Sequence, residues 1–127
     1  MPSLVGFGAA AKEAYSSLGE NIARMDGLRE RLAEGLRSVP GVELIHADGA
    51  VASFAVPKYP SEVIIRMLER RGVFVSGGSA CARGRSSHVL EAMKLDRKLV
   101  ASAVRASVSW TNSEEDVDAL IEGLKNL

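Results

Sequence analysis

The sequence predicts one α+β domain: a small, mainly antiparallel sheet of three or four strands with helices packed on one face, preceded by a long N-terminal helix. Three observations indicate this fold class. Helical and strand-like segments follow one another in the order α-β-β-α-β-α-α-β-α. The one tight turn signal joins two strands into an antiparallel hairpin. The 127 residues, 46% of them hydrophobic, suffice for one core and not for two.

The charge balance and the cysteine count narrow the class of protein. Because 16 basic residues balance 16 acidic ones, the chain lacks the positive charge expected of a non-specific nucleic-acid binder. No apolar run reaches the roughly 18 residues of a membrane span, and the N-terminus does not resemble a secretory signal. A cytoplasmic protein is therefore expected. A single cysteine can form no internal disulfide and cannot build a metal site alone.

The first third of the chain predicts a long helix, from about residue 8 to 38. Apolar residues recur there at steps of three, four and once seven, with charged residues between them. Since such a helix is long for a small domain, Gly19 or Gly27 is expected to kink or interrupt it. Pro40-Gly41 ends it. The apolar positions are Phe7, Ala11, Ala14, Leu18, Ile22, Met25, Leu32, Leu36 and Val39.

A β-hairpin and a second helix are predicted next. Val42–His46 and Val51–Val56 are strand-like, and Asp48-Gly49 between them is a strong turn signal. Pro60-Ser61 opens a helix that Gly72 stops. Its apolar face is expected to comprise Val63, Ile64, Met67 and Leu68.

The remaining elements alternate helix and strand. Val73–Val75 predicts a short strand, and residues 76–86 predict a mobile Gly/Ser/Arg loop. Two short helices follow, one from His88 to Lys94 and one that begins at Asp96. Val104–Val108 alternates apolar and polar residues and predicts a strand.

The last helix is predicted to start at a capping box, Ser113 to Asp116, and to run to the C-terminus. Its inward residues are expected to be Val117, Leu120, Ile121, Leu124 and Leu127.

The loop carries the only thiol of the chain, Cys81, among small residues. Arg83, Arg85 and a helix start near residues 86 and 87 would favour its thiolate. A reactive thiol and an inert loop cysteine are both consistent with this pattern. The glycines before a helix start also fit an anion-binding loop, although no complete phosphate-binding motif is present. His88 is more typical of a surface residue at a helix start, and His46 is given no role.

Arg105 stands out because it interrupts an otherwise small or apolar strand. One interpretation is a solvated outer face of the sheet. The other is a guanidinium that is aimed into a cleft and binds a substrate carboxylate through two parallel hydrogen bonds. The three acidic residues Glu114–Asp116 are interpreted as helix capping, and no metal site is predicted.

Four segments together resemble the C-terminal part of cysteine desulfurases, which are pyridoxal-phosphate-dependent enzymes of the class V aminotransferase family. They are Ser76–Cys81, Ser87–Met93, Val104–Ser107 and Thr111–Asp118. The opening Pro2–Gly8 also resembles the point where that family leaves its large domain and enters a long connecting helix. The resemblance therefore covers nearly the whole chain and implies the small domain of a fold-type I enzyme.

The resemblance implies roles for two residues. Cys81 matches the cysteine that takes sulfur from L-cysteine as a persulfide, giving alanine, and Arg105 matches the arginine that binds the substrate carboxylate. Sulfur would then pass to an acceptor protein, for iron–sulfur cluster or thio-cofactor assembly. The mobile loop would comprise Gly77, Gly78, Ser79, Ala80, Arg83 and Arg85. The segment after Cys81 is shorter than in the family's longest mobile arms, and the sequence around Trp110 departs from the family pattern.

The family holds its cofactor through a lysine that follows a histidine, in a large domain N-terminal to this region. None of the five lysines here follows a histidine. The resemblance thus implies a chain that binds no pyridoxal phosphate, and has no activity, on its own. An alternative is a stand-alone anion-binding or dimerising module of the same fold, and a further one is selenocysteine lysis or transamination. A homodimer is expected, through the stripe of Ile22, Met25 and Leu32 on the long helix.

Overall fold

The computed structural model describes residues 1–77 and 88–127, and it confirms a small α+β fold with a three-stranded antiparallel sheet. Within those residues, no helix combines the length and apolar character that crossing a membrane requires. The elements in chain order are α1 (Pro2–Ser16), α2 (Leu18–Ser38), β1 (Glu43–Asp48), β2 (Val51–Ala55), α3 (Ser61–Glu69), α4 (His88–Ala92), α5 (Arg97–Ser102), β3 (Ala103–Ser107) and α6 (Glu114–Lys125).

The N-terminal helical region is divided at Ser17, and the expectation of a break at Gly19 or Gly27 is wrong. Ser17 leaves the helical conformation at φ −117° and ψ 13°, while α2 continues through both glycines. A glycine inside a helix costs only about 1 kcal/mol relative to alanine, which does not by itself end a helix. None of the residues of α1 is buried, so its apolar side chains face solvent in this chain.

The sheet has the order β1-β2-β3, with both pairs antiparallel. The predicted hairpin is confirmed: Asp48 pairs with Val51, and Gly49 takes a φ of +55°, which favours glycine. The register of β1 and β2 shifts once, between Leu44 and His46.

The predicted strand at Val73–Val75 is wrong. Only Ser76 forms a bridge, to Arg105 at the edge of β3. The Val73 amide donates instead to the Leu68 carbonyl at 3.1 Å, because the chain closes the end of α3 through Gly72 at φ +76°. That amide is therefore not available to a sheet ladder.

The core lies on one face of the sheet, where α2, α3 and α6 pack. Ala52, Phe54, Val104 and Ala106 supply the sheet side. The prediction for α3 is partly wrong, since Val63 is 39% exposed and the half-buried Ile65 packs against the core. The helix side is formed by Leu28, Leu32, Leu36, Ile64, Leu68, Val117, Leu120, Ile121 and Leu124.

The burial of Leu32 shows that the predicted dimer stripe of Ile22, Met25 and Leu32 is wrong. Leu32 is only 1% exposed because it belongs to the chain's own core, whereas Ile22 is 50% exposed. The three residues of that stripe therefore do not share one exposed surface. The sequence pattern could not distinguish these cases, since both positions belong to the same apolar periodicity.

Polar contacts fix the ends of the later helices as predicted. The Asp96 carboxylate accepts a hydrogen bond from the Lys98 amide at 2.7 Å and caps α5. At α6, the Ser113 amide donates to Asp116 at 3.1 Å, as in a capping box. Helix α4 is shorter than expected and ends at Ala92, and Lys94 beyond it has a φ of +56°.

An exposed ion pair ties α2 to α6. Arg31 donates two hydrogen bonds to the Asp118 carboxylate, at 2.9 and 2.7 Å. These bonds hold the pKa of Asp118 below its usual value and raise the pKa of Arg31. Because both side chains are exposed, this ion pair is expected to contribute little to the free energy of folding, and its main effect is on the orientation of the two helices.

Alanine in place of two glycines of α2 is expected to change the unfolding free energy in opposite directions. A Cβ on Gly35 would lie 2.6 Å from Cγ1 of Ile121 on α6, so Gly35→Ala is expected to cost about 1–3 kcal/mol of unfolding free energy by overpacking. Gly27 has no atom within 4 Å of that position, so Gly27→Ala should gain about 0.5–1 kcal/mol. Urea unfolding of both variants measures the difference. Equal effects of the same sign would contradict close packing of α2 on α6.

Candidate functional site

Arg105 lies at the centre of β3 and is exposed on the face of the sheet opposite the core. Its neighbours Val104 and Ala106 are buried, and successive strand residues point to opposite faces. A guanidinium on this face can offer parallel donors to a carboxylate or phosphate. The structure thus places Arg105 on the open face of β3.

The chain that leads to Cys81 starts directly beside Arg105. The Ser76 amide donates to the Arg105 carbonyl at 3.0 Å, and the Arg105 amide donates to the Ser76 carbonyl at 2.7 Å. Gly77, the next residue, is the last one described before residue 88. A Cβ on Gly77 would lie 2.8 Å from Cδ1 of Ile65, so the chain passes close against α3 there.

A row of polar residues crosses the open face of the sheet. His46 pairs with Ser53, Ser53 with Arg105, and Arg105 with Ser76. Directly opposite residues in antiparallel strands carry their side chains on the same face. His46 and Arg105 are exposed, and Ser53 is half-buried. The open face therefore offers hydroxyl groups on both sides of the guanidinium.

The other predicted site residues fall mostly outside the described part. Cys81, Gly78, Ser79, Ala80, Arg83 and Arg85 lie outside the described residues. Gly77 is described and exposed, and His88 is the first residue of α4. Sequence reasoning did not place Ser53 and His46 in one row with Arg105. The predicted two-residue hairpin could have indicated the pair of His46 and Ser53. When Asp48 pairs with Val51, the same register brings His46 opposite Ser53.

A cleft of about 290 Å³ opens at the edge of the sheet, between residues 72–75 and α6. Leu32, Val117 and Leu120 line it from the core side, and Asp116 is the charged residue among the described lining residues. Arg105 is not part of it. In the described part of the chain, no three His, Cys, Asp or Glu side chains lie close enough together to hold a metal ion. On the open face, the guanidinium of Arg105 is a group whose chemistry can bind an anion.

The chain is similar to cysteine desulfurases along nearly its whole length. It is 38% identical to the IscS-like cysteine desulfurase of Mycobacterium tuberculosis, over 96% of this chain and 33% of that protein. It is 36% identical to a cysteine desulfurase of Sinorhizobium fredii, over 94% of this chain and 33% of that protein. The chain thus spans about a third of the length of the relatives that it matches.

Solved structures match the fold over the same extent. A NifS-like protein superposes with a TM-score of 0.83 at 28% identity, covering 98% of this chain and 33% of its own. A NifS-like protein from Rickettsia africae superposes with a TM-score of 0.81 at 25% identity, covering 95% of this chain and 32% of its own. The family model for aminotransferase class-V matches residues 1–120. The chain belongs to the class-V aminotransferase family.

Proposed function

We propose that this chain is the C-terminal small domain of a fold-type I cysteine desulfurase, and that it supplies two working groups. Cys81 accepts sulfur from L-cysteine as a persulfide, and Arg105 binds the carboxylate of that substrate. The observation that carries the proposal is the pair of backbone hydrogen bonds between Ser76 and Arg105. They fix the start of the cysteine-bearing segment beside the carboxylate-binding residue.

Covalent geometry limits how far the thiol can lie from the guanidinium. Cys81 follows Ser76 by five residues, and an extended chain spans at most about 3.6 Å per residue. A segment of five residues therefore spans at most about 18 Å. The sequence separation therefore allows a thiol on this segment to reach a small substrate held at Arg105 by its carboxylate. Holding both partners in one place converts a bimolecular step into a unimolecular one.

The overall reaction balances between the Cys81 thiol and one substrate. The sulfur of Cys81 forms a bond to the sulfur of L-cysteine while the carbon–sulfur bond of the substrate breaks. The electron pair of that bond stays on the carbon, which takes up the proton that the Cys81 thiol loses, so that the products are a persulfide and alanine. The terminal sulfur of the persulfide is then available to the thiol of an acceptor protein, which regenerates Cys81. Delivery to iron–sulfur cluster or thio-cofactor assembly is part of this proposal.

The lysines of this chain do not fit the pyridoxal phosphate that the family implies. All five are described and exposed, and none lies in an enclosed pocket. Lys58, for example, lies 5.2 Å from the ring centroid of Tyr59 on the surface. We therefore propose that the cofactor is held by the part of the parent enzyme that this chain does not match.

Association is a further part of the proposal. Helix α1 exposes Leu4, Val5 and Phe7, and the start of α2 exposes Leu18 and Ile22. Apolar surface of this extent is commonly covered by a partner. We propose that this surface contacts the remainder of the parent enzyme and supports its homodimer.

The test joins this chain to a cofactor-binding partner. Residues 1–127 replace the matching third of the Mycobacterium tuberculosis relative, and the purified chimera is assayed for alanine from L-cysteine. We expect alanine formation that saturates with L-cysteine. The visible absorption of bound pyridoxal phosphate is the control for folding. A chimera that binds the cofactor but forms no alanine would contradict the proposed function.

A further inference from the structure

We propose that Ser53 is a second substrate-binding residue, whose hydroxyl donates a hydrogen bond to the carboxylate that Arg105 binds. This inference rests on the proposed function, because it takes Arg105 as the carboxylate-binding residue. It adds a residue on a different strand, which no pattern in the sequence singled out.

The strand register places Ser53 directly opposite Arg105. Arg105 exchanges both of its backbone hydrogen bonds with Ser76, on the side away from β2. Its pair with Ser53 is therefore of the non-hydrogen-bonded type, in which Cα atoms lie about 4.5 Å apart and side chains approach most closely. The Arg105–Ser76 pair is of the hydrogen-bonded type, with a Cα spacing of about 5.5 Å. Of the two serines that flank Arg105, Ser53 is thus the nearer.

Burial places the Ser53 hydroxyl on the open face with the guanidinium. Ala52 and Phe54, on either side of Ser53 in β2, belong to the core, so the Ser53 side chain points away from it. Ser53 is half-buried, which limits the positions that its short side chain can take. Within the described part of the chain, its hydroxyl takes part in no hydrogen bond.

A carboxylate has enough acceptor positions for one guanidinium and one hydroxyl group together. A carboxylate has two oxygens with about four lone-pair positions, and a bidentate arginine uses two of them. A serine hydroxyl beside the arginine can donate to a third position, and it adds specificity for a planar carboxylate. The inferred ligand is therefore the α-carboxylate of a small amino acid.

The test is a titration of the ¹⁵N-labelled chain with L-cysteine, followed by the NMR signal of the Arg105 side chain. Ser53→Ala is expected to weaken binding about tenfold to 100-fold, the effect of losing one hydrogen bond to a charged group. Ser53→Thr keeps the hydroxyl and should restore binding to within about twofold of the native chain. Ser107→Ala is the matched control. It removes a hydroxyl from the same open face, two residues along β3, and should leave the affinity unchanged.

Cysteamine, which lacks the carboxylate, distinguishes a direct contact from a structural effect. A direct contact predicts that Ser53→Ala changes the affinity for L-cysteine and not the response to cysteamine. If Arg105→Ala abolishes L-cysteine binding but Ser53→Ala does not weaken it, the Ser53 inference is wrong and the role of Arg105 stands. If binding survives in Arg105→Ala, the proposed role of Arg105 is wrong and the Ser53 inference fails with it.

Discussion

Serine in place of Cys81 is expected to lower alanine formation by the chimera by at least about 10³-fold, or about 4 kcal/mol in transition-state free energy. Thiolates attack sulfur readily, and a hydroxyl at neutral pH is almost entirely protonated and a poor nucleophile towards sulfur. The measurement is the rate of alanine release, together with the mass of the chain after one turnover. The native chimera should gain one sulfur atom on the peptide that contains Cys81.

Two controls make the Cys81 result specific. Ser86→Ala changes a residue of the same segment without removing a thiol and should leave alanine formation within about threefold of the native rate. Cofactor absorption should be the same in all three proteins. A Cys81→Ser chimera that forms alanine at the native rate would show that another group accepts the sulfur, and Cys81 would lose its proposed role.

Alanine in place of Phe54 is expected to lower the free energy of unfolding by about 3–5 kcal/mol. Phe54 in β2 is 0% exposed and packs in the cluster that joins the sheet to α2, α3 and α6. Domains of this size have only about 5–15 kcal/mol of net stability, so this variant is expected to be partly unfolded at 37 °C. Urea unfolding followed by circular dichroism measures the loss.

Phe74→Ala is the matched control for this prediction. Its side chain is 78% exposed in the described structure, so its removal is expected to change the unfolding free energy by less than about 0.5 kcal/mol. Similar losses for the two phenylalanines would show that the ring of Phe54 does not hold the layers together as its burial indicates.

Local signals predicted the fold correctly where the determinants are local. Gly49 supplies the positive φ of the two-residue hairpin turn, and Asp96 caps α5 through its own carboxylate. The alternation in Val104–Val108 placed Arg105 on the face opposite the core before any partner strand was known. In each case the residues that determine the structure lie within a few positions of one another.

Non-local packing decided the features that the sequence did not predict. The apolar period is the same at Ile22 and Leu32, yet only Leu32 meets the sheet and the other helices. Val73–Val75 has strand propensity, but the Val73 amide bonds to α3. The position of Ser53 beside Arg105 depends on the β2–β3 register, which joins residues about 50 positions apart.

Because α1 is completely exposed, its helicity and the unfolding of the core are expected to respond to different conditions. A helix of 15 residues that buries nothing has only marginal helicity of its own in water, so its order depends on what covers it. The core between α2 and α6 is internally packed, so its unfolding midpoint is expected not to depend on a partner of α1. The helicity of α1, by contrast, is expected to depend by mass action on the concentration of the partner proposed above.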